Sequence, residues 1–95
     1  HGFLHSLFGV AGVRVSIRYF ASIRETLDRT GETVETGAVT LAGLRDELIA
    51  RGGAYAESLA RGRAVRLALN QVMADESALL VEGAEIGFFP PVTGG

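Results

Sequence analysis

The sequence predicts an α+β fold, a mixed β-sheet packed on one main helix, within a single domain. Three observations carry that expectation. Apolar residues alternate at Val13–Tyr19, Val65–Asn70 and Ala84–Phe89, the period of half-buried strands. One stretch, Leu41–Arg51, instead spaces its leucines at i, i+3 and i+7, the period of a helix. The chain has 95 residues, enough for one hydrophobic core and too few for two.

The opening HGFLHSLFGVAG, residues 1–12, lacks an initiator Met and a basic n-region, so it makes a poor signal peptide. It reads as the remnant of a histidine tag and linker, or as a native extension. The rival reading is an amphipathic turn with Phe3, Leu4, Leu7 and Phe8 on one side. The fold expectation therefore rests on residues 13–95.

Along the first strand Val13, Val15, Ile17 and Tyr19 share one face, and Arg14, Ser16, Arg18 and then Phe20 share the other. Ser22-Ile-Arg-Glu25 has the spacing of a capping box, in which hydroxyl and carboxylate each satisfy a free amide. The short helix expected after it carries Ile23 and Leu27 and ends at Gly31. Glu32–Thr36 is a weak second strand. Thr40 is the expected N-cap of Leu41–Arg51. That helix would turn Leu41, Leu44, Leu48 and Ile49 inward and Arg45, Asp46, Glu47 and Arg51 to water, with a Glu47–Arg51 pair at i, i+4. Gly52-Gly53 stops it, and Tyr55–Ala60 adds a short helical turn.

In the third strand Val65, Leu67 and Leu69 are expected inward. Asn70 to Ala78 reads as a turn with a short edge segment, and Glu82-Gly83 as another turn. The last strand places Ile86 and Phe88 inside and Glu85, Gly87 and Phe89 on the opposite face. One helix cannot cover both faces of a sheet, so the second face is left for solvent or a partner. This element order suits a β-grasp, ubiquitin-like roll with the first and last strands side by side.

Composition narrows the chemistry. The apolar fraction of 47%, the charged fraction of 21% and the net charge of −2 describe an ordinary globular balance. They lack the basic stripe of a nucleic-acid binder. No apolar run approaches the roughly 20 residues of a membrane helix. There is no Cys and no Lys, and the two histidines are His1 and His5. From Val13 onward no ordinary neutral-pH base or activated nucleophile is available, so an autonomous active site is not expected. Thiolate metal sites are excluded, and the absence of Cys fits a reducing compartment such as the cytoplasm.

The end of the chain, Phe88-Phe-Pro-Pro-Val-Thr-Gly-Gly95, is the most informative stretch. If Phe88 points inward, alternation puts Phe89 on the outer face, near Phe20 if the first and last strands pair. Met73 can join that apolar patch from the turn after Asn70, a surface suited to a protein contact. Pro90 and Pro91 donate no ladder hydrogen bond and favour a stiff extended exit. Gly94 and Gly95 have no Cβ and fit a channel too narrow for side chains. A terminal carboxylate is a poor electrophile until activated, for example as an acyl-adenylate; a sulfur donor could then convert it to a thiocarboxylate. In a chain without Cys, the terminus is the one place for reactive sulfur.

With Tyr19-Phe-Ala-Ser-Ile-Arg-Glu25, Leu44-Arg45 and Ala68-Leu-Asn-Gln71, this octet resembles the small-subunit family of molybdopterin synthase, the MoaD/ThiS-type sulfur carriers. The resemblance extends from Arg14 to Gly95. It implies that Gly95 is adenylated by a ubiquitin-activating-like adenylyltransferase using ATP and Mg. A sulfur donor system then forms the thiocarboxylate, which enters the large synthase subunit and gives sulfur to precursor Z. On that reading Gly95 carries the reacting group and Gly94 is its slender neighbour. Phe20, Met73, Phe89, Pro90, Pro91, Val92 and Thr93 are then partner contacts. The protein would bind no cofactor or metal itself and act as a non-catalytic, sulfur-donating subunit. The departures are the leader and the missing Lys. A thiamine-type carrier, or a ubiquitin-like modifier whose terminal glycine joins a target lysine, are the other expectations.

Overall fold

Two strands distant in sequence form the middle of the sheet. In the computed structural model, which describes residues 12–91, β1 (Val13–Tyr19) runs parallel to β5 (Glu85–Phe89), with Ile17 opposite Ile86 and Tyr19 opposite Phe88. Strand β2 (Gly31–Thr36) pairs antiparallel with β1 on one side. On the other side β3 (Arg66–Leu69) pairs antiparallel with β5 and carries β4 (Val72–Ala74) at the edge. The order is β2-β1-β5-β3-β4, so the expected neighbouring of first and last strands holds. Expectations for residues 1–11 and 92–95 lie outside the described residues.

Three helices face the core side: the short α1 (Ala21–Leu27), the main α2 (Leu41–Ile49) and the short α3 (Gly53–Leu59). The alternation of β1 is obeyed, with Val15, Ile17 and Tyr19 buried and Arg14, Ser16 and Arg18 exposed. These meet Ile23 and Leu27 of α1, Leu41, Leu44 and Leu48 of α2, Leu59 of α3, and Ile86 and Phe88 of β5. Of the three inward residues expected for the third strand only Leu67 is fully buried; Leu69, and Val65 just before β3, pack half-buried against the core. Among the described residues no helix is long and apolar enough to cross a membrane.

Several local expectations are corrected. Ser22 does not cap α1, because the helix starts directly off β1. Phe20 is the N-cap without a side-chain bond, and its carbonyl accepts from Ile23 and Arg24. The helix ends at Leu27 rather than Gly31. Asp28 takes the left-handed C-cap conformation at φ 57°, and Gly31 already belongs to β2. Thr40 does cap α2, its hydroxyl accepting from the Gly43 amide at 3.2 Å. That helix closes at Ile49, and Gly52 and Gly53 both adopt positive φ to turn the chain into α3. Tyr55–Ala60, expected as one turn, is part of the two-turn α3, whose Leu59 is fully buried.

Arg45 does not face water. It is 3% exposed, and Nε donates to the Leu59 carbonyl at 2.8 Å while Nη2 donates to the Ala60 and Arg63 carbonyls. Nη1 pairs with Glu76 at 2.6 Å. The guanidinium fork thus satisfies the carbonyls where α3 ends and the chain turns toward β3. Glu47 and Arg51 do not pair with each other. Glu47 accepts the Thr36 hydroxyl, and Arg51 reaches Glu32 of β2 at 3.0 Å. Strand side chains lie closer to these groups than the next helical turn.

Glu32 is the centre of a second polar cluster. Its carboxylate accepts from the hydroxyls of Tyr19 (2.8 Å) and Tyr55 (2.6 Å) and pairs with Arg29 and Arg51. The bridge joins β1, β2 and α3 at the edge of the core.

Candidate functional site

The sheet's outer face ends in an apolar platform where the chain leaves β5. Parallel pairing in register puts the ends of β1 and β5 together, and the Phe20 amide donates to the Phe88 carbonyl at 3.2 Å. Phe88 is fully buried, so alternation turns Phe89 outward, as expected. Phe89 stacks on Phe20 with ring centroids 4.3 Å apart and planes 2° from parallel. Both rings remain half-buried rather than sinking into the core. The stack covers Gly87, the outward residue before Phe89; a Cβ there would come within 3.0 Å of the Phe89 ring and 3.2 Å of the Phe20 ring. A glycine in this strand is therefore a requirement of the platform.

Beyond Phe89 the sheet continues through Arg66, its cross-strand partner on β3, toward Met73 on β4. Met73 is 54% exposed. Phe20, Ala21, Arg66, Met73, Phe89, Pro90 and Pro91 line one open groove of about 570 Å³. Five of the sequence-predicted residues, Phe20, Met73, Phe89, Pro90 and Pro91, thus converge on a single surface. Val92, Thr93, Gly94 and Gly95 lie outside the described residues. On its other side Pro90-Pro91 borders a smaller groove with Ser22, Thr26, Glu57 and Arg63.

Three contributors were not singled out from the sequence. Gly87 and Arg66 were legible in principle, since each falls on the outward position of an alternating strand beside Phe89. Ala21 was not: its φ of 51° at the start of α1 follows from the helix springing directly off the strand. On chemistry the groove offers aromatic, proline and thioether surface with one guanidinium, and among the described residues it has no acid–base pair or nucleophile. Such a lining has the composition of an apolar contact surface. Among the described residues no cluster of His, Cys, Asp or Glu has the composition to hold a metal ion.

Residues 17–95 match the model of the ThiS family. The molybdopterin synthase sulfur carrier subunit of Haemophilus influenzae is 32% identical over 81 residues, covering 85% of this chain and 99% of that protein. A solved complex of subunits 1 and 2 of the molybdopterin-converting factor from Helicobacter pylori contains a chain 30% identical, with a TM-score of 0.59, covering 87% of this chain and all of that one. Small archaeal modifier protein 1 of Haloferax volcanii shares the fold at a TM-score of 0.71 and 21% identity, covering 85% of this chain and 100% of that one.

Proposed function

The chain belongs to the ThiS family, and from that premise we propose that it carries sulfur on Gly95 for molybdopterin synthesis. It is a sulfur carrier of the MoaD/ThiS type. The observation that carries the finer reading is that the family match continues to Gly95, on a domain with no Lys, no Cys and no His beyond His5. The chemistry is then confined to the terminal carboxyl group and to partner enzymes.

The steps are these. The Gly95 carboxylate attacks the α-phosphorus of ATP, held with Mg by a ubiquitin-activating-like adenylyltransferase, and pyrophosphate leaves. A sulfur nucleophile at the oxidation level of hydrosulfide attacks the acyl carbon. The bond to AMP breaks, AMP departs, and a thiocarboxylate remains. This soft nucleophile enters the large synthase subunit and gives its sulfur to precursor Z, and the terminus returns as a carboxylate with oxygen from water. Gly94 and Gly95 contribute slenderness, Pro90 and Pro91 a stiff exit, and Phe20, Phe89 and Met73 the docking surface that positions the tail. The names of the curated relatives favour the molybdopterin branch over a thiamine-type carrier or a protein modifier.

The test is intact-mass measurement after incubation with ATP, Mg, the activating enzyme and a sulfur source. Replacement of one oxygen by sulfur at Gly95, followed by its loss on addition of large subunit and precursor Z, is the expected result. An unmodified terminus with a partner shown to be active on another carrier would overturn the proposal.

A further inference from the structure

We infer that Arg66, helped by Arg18, is a charge-selective rim of the docking platform, and that it fits a large-subunit surface carrying a carboxylate beside its apolar contact. The inference rests on the docking role proposed above and adds the chemistry of the partner's matching surface.

The placement is fixed by the sheet. Arg66 stands directly across from Phe89 on β3 and lines the apolar groove. Arg18 lies on the other side of the aromatic pair, its guanidinium carbon 5.7 Å from the Phe20 ring centroid. Across strands β1, β5 and β3, two cations therefore flank the stacked rings. Six arginines, 14, 18, 29, 45, 51 and 61, pair with carboxylates of this chain, but Arg66 pairs with none among the described residues. Asp75, which borders a shallow groove with Arg66, accepts from the amide and hydroxyl of Ser77. Glu85 is the partner of Arg18 at 3.8 Å.

An exposed arginine in this position costs the free protein little, because water solvates it. The situation changes when a partner covers Phe89. Its cross-strand neighbour then loses part of its water, and a guanidinium stripped of water without a counter-charge opposes binding. A carboxylate on the partner removes that penalty through a charge-assisted, bidentate pair. A partner with a neutral or basic rim around the same apolar contact is disfavoured, so the arginine discriminates between surfaces that the aromatic rings alone would accept. The chain is net acidic, at −2, so this local cationic rim also sets the orientation in which an acidic surface approaches.

The experiment measures association of the full chain with its large subunit by calorimetry and stopped-flow, at low and at high ionic strength. Arg66→Glu is expected to weaken binding by about tenfold or more at low salt. Arg66→Met, which keeps an apolar stem, should weaken it less and flatten the salt dependence of the association rate. Circular dichroism melts of both variants should match the parent, since Arg66 is exposed. If both variants bind within about twofold of the parent at low salt, the rim role is overturned. Phe89→Ala separates the two readings. If it weakens binding while Arg66→Glu does not, only the charge inference falls; if neither variant weakens binding, the docking face itself is wrong.

Discussion

Phe20 and Phe89 lie 4.3 Å apart in parallel planes directly over Gly87, whose missing side chain leaves room for both rings. A methyl group at that position meets ring atoms, not backbone, so the fold can retain its sheet while the stack shifts. Gly87→Ala is expected to lower stability by about 1 kcal/mol and affinity for the large subunit by about tenfold, a larger loss in binding than in folding. Urea denaturation and calorimetry on the same sample check this. Full affinity in a folded variant would show that the partner does not read the stacked geometry.

Removing Gly95 separates docking from chemistry. The core and the sheet are built from residues 13–89, so the shortened chain is expected to melt as the parent does and to keep binding the large subunit through Phe20, Met73 and Phe89. Sulfur transfer should be abolished, because the new terminus stops one residue short of the reacting position. An active truncation, assayed by single-turnover product formation, would remove the carrier role from Gly95.

Arg45 tests what holds α3 and the chain leading to β3 in place. Its fork satisfies three carbonyls and Glu76 from a site 3% exposed. Arg45→Met leaves these acceptors without their donor and should cost about 3 kcal/mol in urea unfolding. Arg45→Lys should recover only part of that loss, since a point charge cannot reproduce the planar fork.

Asn70 and Gln71 form the two-residue loop between β3 and β4 and have φ of 52° and 71°, the pattern of a type I′ hairpin turn. Asn70 is used there, its side chain accepting from the Glu85 amide at 2.9 Å. Gln71 has no such compensation among the side-chain bonds of the described residues. Gln71→Gly is therefore expected to raise stability by about 0.5–1 kcal/mol, read as a higher urea midpoint with unchanged slope.

The parts of this fold legible in the sequence are those governed by a simple period. Alternation in β1 and β5 put Ile17, Tyr19, Ile86 and Phe88 inside and Phe89 outside, and the parallel pairing of those strands brought Phe20 beside it. The same alternation placed Phe89 of the terminal octet on the face proposed for docking. The misreadings involve charged side chains and helix ends, where no local pattern decides. Arg45 stands at i+4 from Leu41, on the buried stripe of α2, but its charge argued for water, and the carbonyls that let it stay buried come from residues 14 to 18 positions further on. Arg51 prefers Glu32 over Glu47 because β2 packs beside the helix end, a proximity that exists only after the sheet has formed. Ser22 carries a capping pattern that goes unused, since Phe20 is already fixed by β5 and starts the helix first.

Glu32 gives the fold a defined response to acid. Burial pushes its carboxyl up, but hydrogen bonds from Tyr55, Tyr19 and Arg51 outweigh that effect and hold it below the ordinary carboxylate range. Glu76 is lowered as well, first by its bond from Arg61 and also by Arg45. A carboxylate with a depressed folded value binds fewer protons in the native than in the unfolded chain. Its contribution is therefore complete above the unfolded value, about 4.3, and is lost as pH falls through the folded value. Stability from urea unfolding should be level through neutral pH and fall progressively below about pH 5. Glu32→Gln is expected to be about 2 kcal/mol less stable at pH 7, with two tyrosine hydroxyls and two arginines left on a neutral amide. Its acid slope should be shallower than the parent's without vanishing, because Glu76 still titrates. Equal slopes in the two proteins would show that the Glu32 cluster does not contribute to the acid transition.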